Sequence, residues 1–294
     1  MNLITRLDFD GILCAAMIHE MERVADISFS DPRTVEEGGL LDILQRGDII
    51  AHLPFHPDAG IWFHNHDVSQ IDPNKLKGVK GKFGVAPSTA RQVYDYYKSP
   101  ALDRYKPLVQ VADKIGAADM NREDILSPAG WMLVSYTLDP RFSHDHSYGI
   151  LILNAIKGGK SADQILALPQ VARRVELYKS DEERYVKALK EHTKLYGNVI
   201  ITDFRGLDRA PRGNRFMVFV HYEQGNIHVR LESLGGFRTK VSVSKSIFNR
   251  TSKTNIGRLL EDYGGGGMEG AGTCILGRKS AEDKIVEILT KLQE

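Results

Sequence analysis

Leu3-Ile4-Thr5-Arg6-Leu7-Asp8-Phe9-Asp10-Gly11 decides how the first half of this chain is read. Leu3 to Leu7 suits a short strand, and Asp8 and Asp10 stand where that strand ends. Behind them, Leu13, Met17, Met21 and Val24 fall near helical spacing, which predicts a helix over Ile12 to Val24. The alternation continues outward. Ile27 to Ser30 reads as a strand, Val35 to Leu44 as a helix, Asp48 to Leu53 as a strand stopped by Pro54, and Gly60 to Phe63 as a strand running into His64. Such alternation predicts a parallel sheet with right-handed crossovers, in which ligands sit at the carboxyl ends of the strands. Asp8, Asp10, His52 and the stretch His64-Asn65-His66-Asp67 all fall at those ends.

If the backbone stays extended past Leu7, the carboxylates of Asp8 and Asp10 project from one side. Held together they repel unless a cation or a proton lies between them, and a divalent metal is the natural partner. The same residues also suit a strand-to-helix turn in which Asp10 caps the helix and Gly11 eases the bend. His52, His56, His64 and His66 lie within fifteen residues, with Asp58 and Asp67 nearby. Imidazole with carboxylate suits zinc, manganese, iron or nickel. His144-Asp145-His146, after Pro140, is a second cluster, read as a loop. Asp113, in Val111-Ala112-Asp113-Lys114, reads on its own as a partner of Lys114 or a solvated residue.

Ser88 is placed to cap a helix over Thr89 to Tyr97. Further helices are expected over Pro107 to Ile115, Arg122 to Leu126 and Pro128 to Tyr136. Ser161 with Gln164 forms a capping box, and a long connecting helix runs from Val171 to Leu195. Strands are expected at Asn198 to Thr202, Phe216 to His221, Ile227 to Leu231 and Val241 to Phe248, with a turn at Gly225. Helices follow at Ile256 to Tyr263 and Lys279 to Leu292. The change of character places a boundary near Glu191 to Gly197 and gives domains over 1–190 and 191–294. Between the last two helices lies Gly264-Gly265-Gly266-Gly267. Backbone N–H groups without side chains in the way can wrap phosphate oxygens. Arg250-Thr251-Ser252-Lys253 adds charge-assisted donors nearby, although the glycines also read as a plain helix stop.

A length of 294 residues suits two domains, each with its own core. The net charge of +1 supplies no global field for long nucleic acid, so any anion site is local. Cys14 and Cys274 are too few for a disulfide framework, which fits a reducing cytoplasm. No apolar run reaches membrane-spanning length, and no signal peptide is read.

These pieces in this order resemble the DHH phosphoesterase superfamily with its C-terminal DHH-associated domain, with the exopolyphosphatase-related branch nearest. Thr5 to Gly11 resembles the first motif, Ile61 to His66 stands at the Asp-His-His triplet, and Val111 to Asp113 resembles a later aspartate motif. Asn249 to Lys253 and Gly264 to Gly272 resemble the associated domain. The resemblance implies an α/β fold, a parallel-sheet domain joined by a linker helix to a smaller mixed α/β domain.

It also implies one or two divalent metals, usually manganese with zinc or iron as alternatives. Their ligands would be Asp8, Asp10, His66 and Asp113, with His52 and His64 as replacements. Catalytic roles fall on His66, Asn65 and Asp10. Substrate contacts fall on Arg250, Ser252, Lys253 and the backbone of Gly264, Gly265, Gly266 and Gly267. The sequence departs from the pattern at several places. His64 stands at the triplet's aspartate and Asn65 at its first histidine. His52 is the nearest ligand type after the preceding strand. Met268 replaces the histidine after the glycines, and Gly116 stands where an acid is expected. The expected function is hydrolysis of a small phosphodiester, short oligonucleotide or polyphosphate at a remodelled metal site. The alternative is an inactive phosphate- or nucleotide-binding protein of the same fold. Neither long nucleic acid nor membrane is an expected partner, and a homodimer is left open.

Overall fold

The structure is a computed structural model. It describes residues 1–40, 44–138, 145–235, 237–277 and 280–293. It divides into two compact units, Met1–Met120 with Ser127–Val175, and Asn121–Leu126 with Glu176–Glu294.

The first unit runs β1 (Asn2–Arg6), α1 (Phe9–Met21), β2 (Asp26–Ser30), α2 (Pro32–Glu36), β3 (Ile49–Ala51), β4 (Ile61–His64), α3 (Pro73–Leu76), β5 (Lys80–Phe83) and α4 (Thr89–Tyr97). A 3-10 turn at Pro100–Tyr105 leads into α5 (Lys106–Gly116). After α6 (Arg122–Leu126), which clusters with the second unit, come α7 (Gly130–Tyr136), α8 (His146–Lys157) and α9 (Ala162–Leu166). The long helix α10 (Pro169–His192) then carries the chain across the division.

The five strands form one sheet in the order β2-β1-β3-β4-β5, parallel throughout, as the alternation predicts. Helices cover both faces, so strand residues are apolar on both sides. Leu3, Ile49, Ala51, Ile61 and Phe63 join the core around α1, while Ile4, Ile50 and Trp62 pack with Val35, Leu40 and Leu53 on the other face. α1 is buried continuously from Gly11 to Ile18, which explains why it is apolar all round. The strand order reverses between β1 and β3. In an open parallel sheet that reversal leaves a crevice outside the carboxyl ends of those two strands.

The second unit continues with β6 (Thr193–Tyr196), β7 (Val199–Asp203), α11 (Met217–His221), β8 (Ile227–Leu234) and β9 (Arg238–Lys245). α12 (Ile256–Glu261), β10 (Gly266–Met268), β11 (Ala271–Gly277) and α13 (Ala281–Lys291) complete it. Its sheet has the order β10-β11-β9-β8-β7-β6 and is mixed, with β7 parallel to β8. Val229, Val241, Val243, Leu260 and Ile288 lie in its core.

Several expectations are corrected. Phe216 to His221 is not a strand: β7 and β8 are parallel, a parallel pair needs a crossover, and α11 lies in it. Gly225 accordingly makes no hairpin. A Cβ there would meet the Ile200 side chain at 2.3 Å, so close packing selects the glycine. The second helix begins early, at Pro32 behind the Asp31 cap, and stops at Glu36 before Gly38 at φ 77°; positions 41–43 of the expected helix lie outside the described residues. α10 ends at His192, and the chain enters β6 where the helix was expected to continue. α8 begins at His146, within the stretch read as a loop, and His144 lies outside the described residues.

Candidate functional site

Asp8, Asp10, His52, Asn65 and Thr89 converge at the β1/β3 reversal. Asp8 is extended and caps α1, its Oδ1 accepting the Gly11 N–H at 2.9 Å. A Cβ on Gly11 would lie 2.0 Å from the Arg6 carbonyl oxygen, so the helix can start this close to the strand only with glycine there. The helix begins at Phe9, so strand alternation does not align the two carboxylates; Asp10 lies in the first turn of α1. It accepts the N–H groups of Thr89 at 2.9 Å and Ala90 at 2.7 Å, the first residues of α4, where the helix end carries partial positive charge.

His52 follows β3 in a left-handed conformation, φ 58°, a region histidine enters more readily than most residues. Its Nε2 lies 3.2 Å from Asp8 Oδ2, and its Nδ1 lies 2.8 Å from Thr89 Oγ1 and 3.4 Å from Asp10 Oδ2. The hydrogen-bond directions fix its charge. The Asn65 amide nitrogen donates to the Ala86 carbonyl, so its oxygen faces Thr89 and accepts that hydroxyl's proton at 2.9 Å. Thr89 Oγ1 is then the acceptor for His52 Nδ1–H, while Nε2–H donates to Asp8. Both ring nitrogens carry protons.

The electrostatics agree. Burial alone would lower the His52 pKa, but the charges of Asp8 and Asp10 lift it to about 9. Burial works to raise Asp8, yet His52, Arg6 and the Gly11 amide hold it well below the usual carboxylate range. Asp10 is raised by burial and by the charge of Asp8, against the opposing pull of His52 and the two α4 amides. His64 is pushed down to about 3 by burial and then by the charges of His66 and His52, so its ring is neutral. His66 is lowered by burial, then by His52 and Arg6. The His64 ring stacks on Trp62 at 5.1 Å and meets His66 edge-on at 5.0 Å, and its Nδ1 is buried without a hydrogen-bond partner.

Asp113 stands behind α4. Its Oδ1 accepts the Ser88 hydroxyl at 2.7 Å and its Oδ2 accepts Arg91 Nε at 3.0 Å. Its partner is therefore Arg91, where the sequence suggested Lys114. Sequence reasoning overlooked Arg6, Thr89 and Arg91. At the start of α4 only Ser88 was singled out, as a helix cap, because the topology brings α4 to the strand ends and no local pattern records that.

Among the described residues no group of three or more His, Cys, Asp or Glu side chains is arranged to hold a metal ion. The donor chemistry still fits a divalent cation. Two carboxylates and three imidazoles, one with an orphaned nitrogen, suit it once His52 gives up its place as the cation between Asp8 and Asp10.

In the second unit, Arg250 and Lys253 are exposed on one loop, Arg250 Nε donating to the Ile247 carbonyl at 3.0 Å. Ser252 Oγ accepts the Thr254 N–H at 3.4 Å. The glycine run is largely occupied by backbone packing. Gly264, at φ 71°, and Gly265 donate their N–H groups to Glu261 and Leu260, closing α12 in a Schellman motif. Gly266 and Gly267 enter β10. A Cβ on Gly257 would lie 2.5 Å from the Gly267 carbonyl oxygen, and one on Gly265 would lie 2.3 Å from that of Thr273. A groove of about 950 Å³ between β6, β7 and α13 in this unit is lined by none of the sequence-predicted residues.

A parallel unit with acids and imidazoles at its switch point, followed by a mixed α/β unit, is a DHH-like two-domain fold, and the structural neighbours of this chain include a DHH domain. PggH of Vibrio cholerae, a pGpG-specific phosphodiesterase, is 29% identical, with a TM-score of 0.80 over 99% of this chain and 98% of that one. The DHH domain of a protein described as a member of a ribosomal-protein family is 17% identical with a TM-score of 0.57, over 99% of this chain and 86% of its own. RecJ of Thermus thermophilus, in complex with Mn2+, is 11% identical with a TM-score of 0.57, and this chain covers 51% of it. No protein-family model matches the chain, and no curated protein matches it. Among the described residues no helix is long and apolar enough to cross a membrane.

Proposed function

We propose that this chain is a divalent-metal-dependent phosphodiesterase acting on a small linear phosphodiester of dinucleotide size. The observation that carries this reading is the half-buried Asp8–His52–Asp10 cluster at the β1/β3 switch point, in a chain similar along its length to a pGpG-specific phosphodiesterase. Asp8, Asp10, His52, His64 and His66 would hold the metal, manganese or magnesium, since RecJ, a related fold, is seen in complex with each. Asp113 would act from behind by fixing Ser88 and Arg91 at the start of α4. The ion supplies Lewis acidity that activates water near neutral pH and offsets charge on the phosphoryl oxygens. Asn65 holds Thr89 in place beside the carboxylates. Arg250, Ser252 and Lys253 are the proposed phosphate contacts of the second unit, supported by two exposed cations on one loop. In the reaction, water forms a new P–O bond, the bond to the bridging 3′ oxygen breaks, and that oxygen leaves with a proton, giving two mononucleotides.

The test is incubation of the purified protein with linear diguanylate and Mn2+, products separated by chromatography. Wild type is expected to release GMP, and chelation or Asp10→Asn to stop it. Wild type that binds the dinucleotide calorimetrically in chelator, with no product in any metal, would favour the second reading, a non-hydrolytic nucleotide-binding protein. Two observations favour that reading: Arg91 and Ser88 already occupy the Asp113 oxygens, and His52 already supplies a cation between the carboxylates.

A further inference from the structure

The segment from Phe83 to Ser88 joins β5 to α4 along the edge of the cluster. It contains Val85, which is 82% exposed, the most exposed of the large hydrophobic residues among those described. A single exposed valine on a loose loop would need no explanation. Val85 is not on a loose loop. Immediately before it, the Gly84 N–H donates to the His64 carbonyl at 3.2 Å and the Gly84 carbonyl accepts Gln92 Nε2 at 2.7 Å. Immediately after it, the Ala86 N–H donates to the Asn65 carbonyl at 3.1 Å and the Ala86 carbonyl accepts the Asn65 amide. The backbone is fastened on both sides of Val85, to two residues of the candidate site and to α4. Gly84, at φ 115°, permits the bend. Pro87 follows, also exposed, and fixes its own φ. The result is a short rigid apolar ledge, Val85-Ala86-Pro87, held out into solvent beside His64 and Asn65.

Resting on the phosphodiesterase reading, we propose that Val85 is a specificity-determining residue whose side chain packs against the base or ribose of a nucleoside-bearing substrate. Polyphosphate has no apolar face to cover a valine, whereas a nucleobase has two. A ledge ordered before ligand arrives loses little conformational entropy on binding, so even a small apolar contact counts toward affinity. Selection would arise from the substrate's nucleoside, while the metal cluster deals only with the phosphate.

The experiment compares wild type, Val85→Ile, Val85→Ala and Val85→Asp. Linear diguanylate is used both in turnover with Mn2+ and in calorimetric binding with the metal chelated, and inorganic tripolyphosphate is the competitor. Val85 makes no burial contribution of its own, so all four proteins are expected to melt together. KM and Kd for the dinucleotide are expected to rise about threefold in the alanine variant and about tenfold in the aspartate variant, with the isoleucine variant unchanged. kcat and inhibition by tripolyphosphate are expected to stay as in wild type. Equal dinucleotide affinity in wild type and Val85→Asp overturns the ledge whether or not the diester is cleaved. Absence of turnover in wild type overturns the phosphodiesterase reading alone, since the binding comparison still decides the role of Val85. A fall in kcat with unchanged KM also overturns the proposal, because it would assign Val85 to the chemistry and not to selection.

Discussion

The carboxyl edge of the first sheet and the glycine run of the second unit were both legible as chemistry, and the structure treats them in opposite ways. At the sheet edge, Asn65 and Thr89 are buried and Asp8, Asp10 and His52 are half-buried beside them, polar groups gathered where the apolar strand carrying Trp62 and Phe63 ends. In the glycine run, most features have a backbone reason: Gly264 has a positive φ, and Gly265 and Gly267 leave no room for a Cβ. The first two N–H groups close α12, and the missing side chains let β10, β11 and α12 touch through their backbones. The contrast teaches that glycines are easily over-read as ligand cradles, while two carboxylates and an imidazolium drawn together at a sheet's switch point indicate a function.

Mutations sharpen that contrast, beginning with the largest effect. Asp10→Asn keeps the shape of the corner and removes a charge; turnover of a dinucleotide is expected to fall about a thousandfold, as several kcal/mol of metal-dependent stabilisation is lost. Its melting temperature should fall by a few degrees, since one of the two α4 N–H groups then faces the amide NH2 and loses its acceptor. A large drop in melting temperature with retained turnover would make the corner structural.

The pH dependence comes next. His52 is raised from 6.5 to about 9 in the fold. Its contribution to stability is therefore complete below about pH 6.5 and is lost as pH rises through 9, on the order of 3 kcal/mol in total. Denaturant titrations of wild type and His52→Asn between pH 6 and 10, without metal, should converge at the alkaline end. Parallel curves would show that the imidazolium does not bridge Asp8 and Asp10.

Gly257→Ala places a methyl against the Gly267 carbonyl and should destabilise the second unit by about 2–3 kcal/mol, read as a lower urea midpoint, with turnover per folded molecule unchanged. The smallest effect is expected at Gly264, where alanine must adopt φ 71° but meets no atom: about 1 kcal/mol. If either substitution abolished phosphate binding while leaving stability intact, the glycine run would regain the role its sequence first suggested.

The parallel sheet was readable because strand and helix patterns alternate from Leu3 to Leu53, and both α4 and α6 have the bounds their caps and turns predict. Segments were misread where local pattern and topology conflict. Met217–His221 is apolar enough for a strand but serves a parallel crossover, and Ala271–Gly277 hides a strand behind two glycines. At the site, Asp8, Asp10 and His52 were legible from their places at strand ends. Thr89 and Arg91 were not, since what matters about them is that the start of α4 lies against Asp10 and Asp113, a relation across 79 residues for Thr89 and 22 for Arg91.

That long reach has a kinetic consequence. The corner is assembled from residues 8, 10, 52, 65, 89 and 113, and all of its strands pair in parallel, so each pairing closes a long loop before it gains contacts. No short fragment holds the set, and an early compact intermediate with native helices would lack it. In a refolding experiment, capacity to bind a divalent ion should therefore emerge in the last phase, after far-ultraviolet dichroism has recovered. The cluster is in effect a built-in clock for the completion of the sheet.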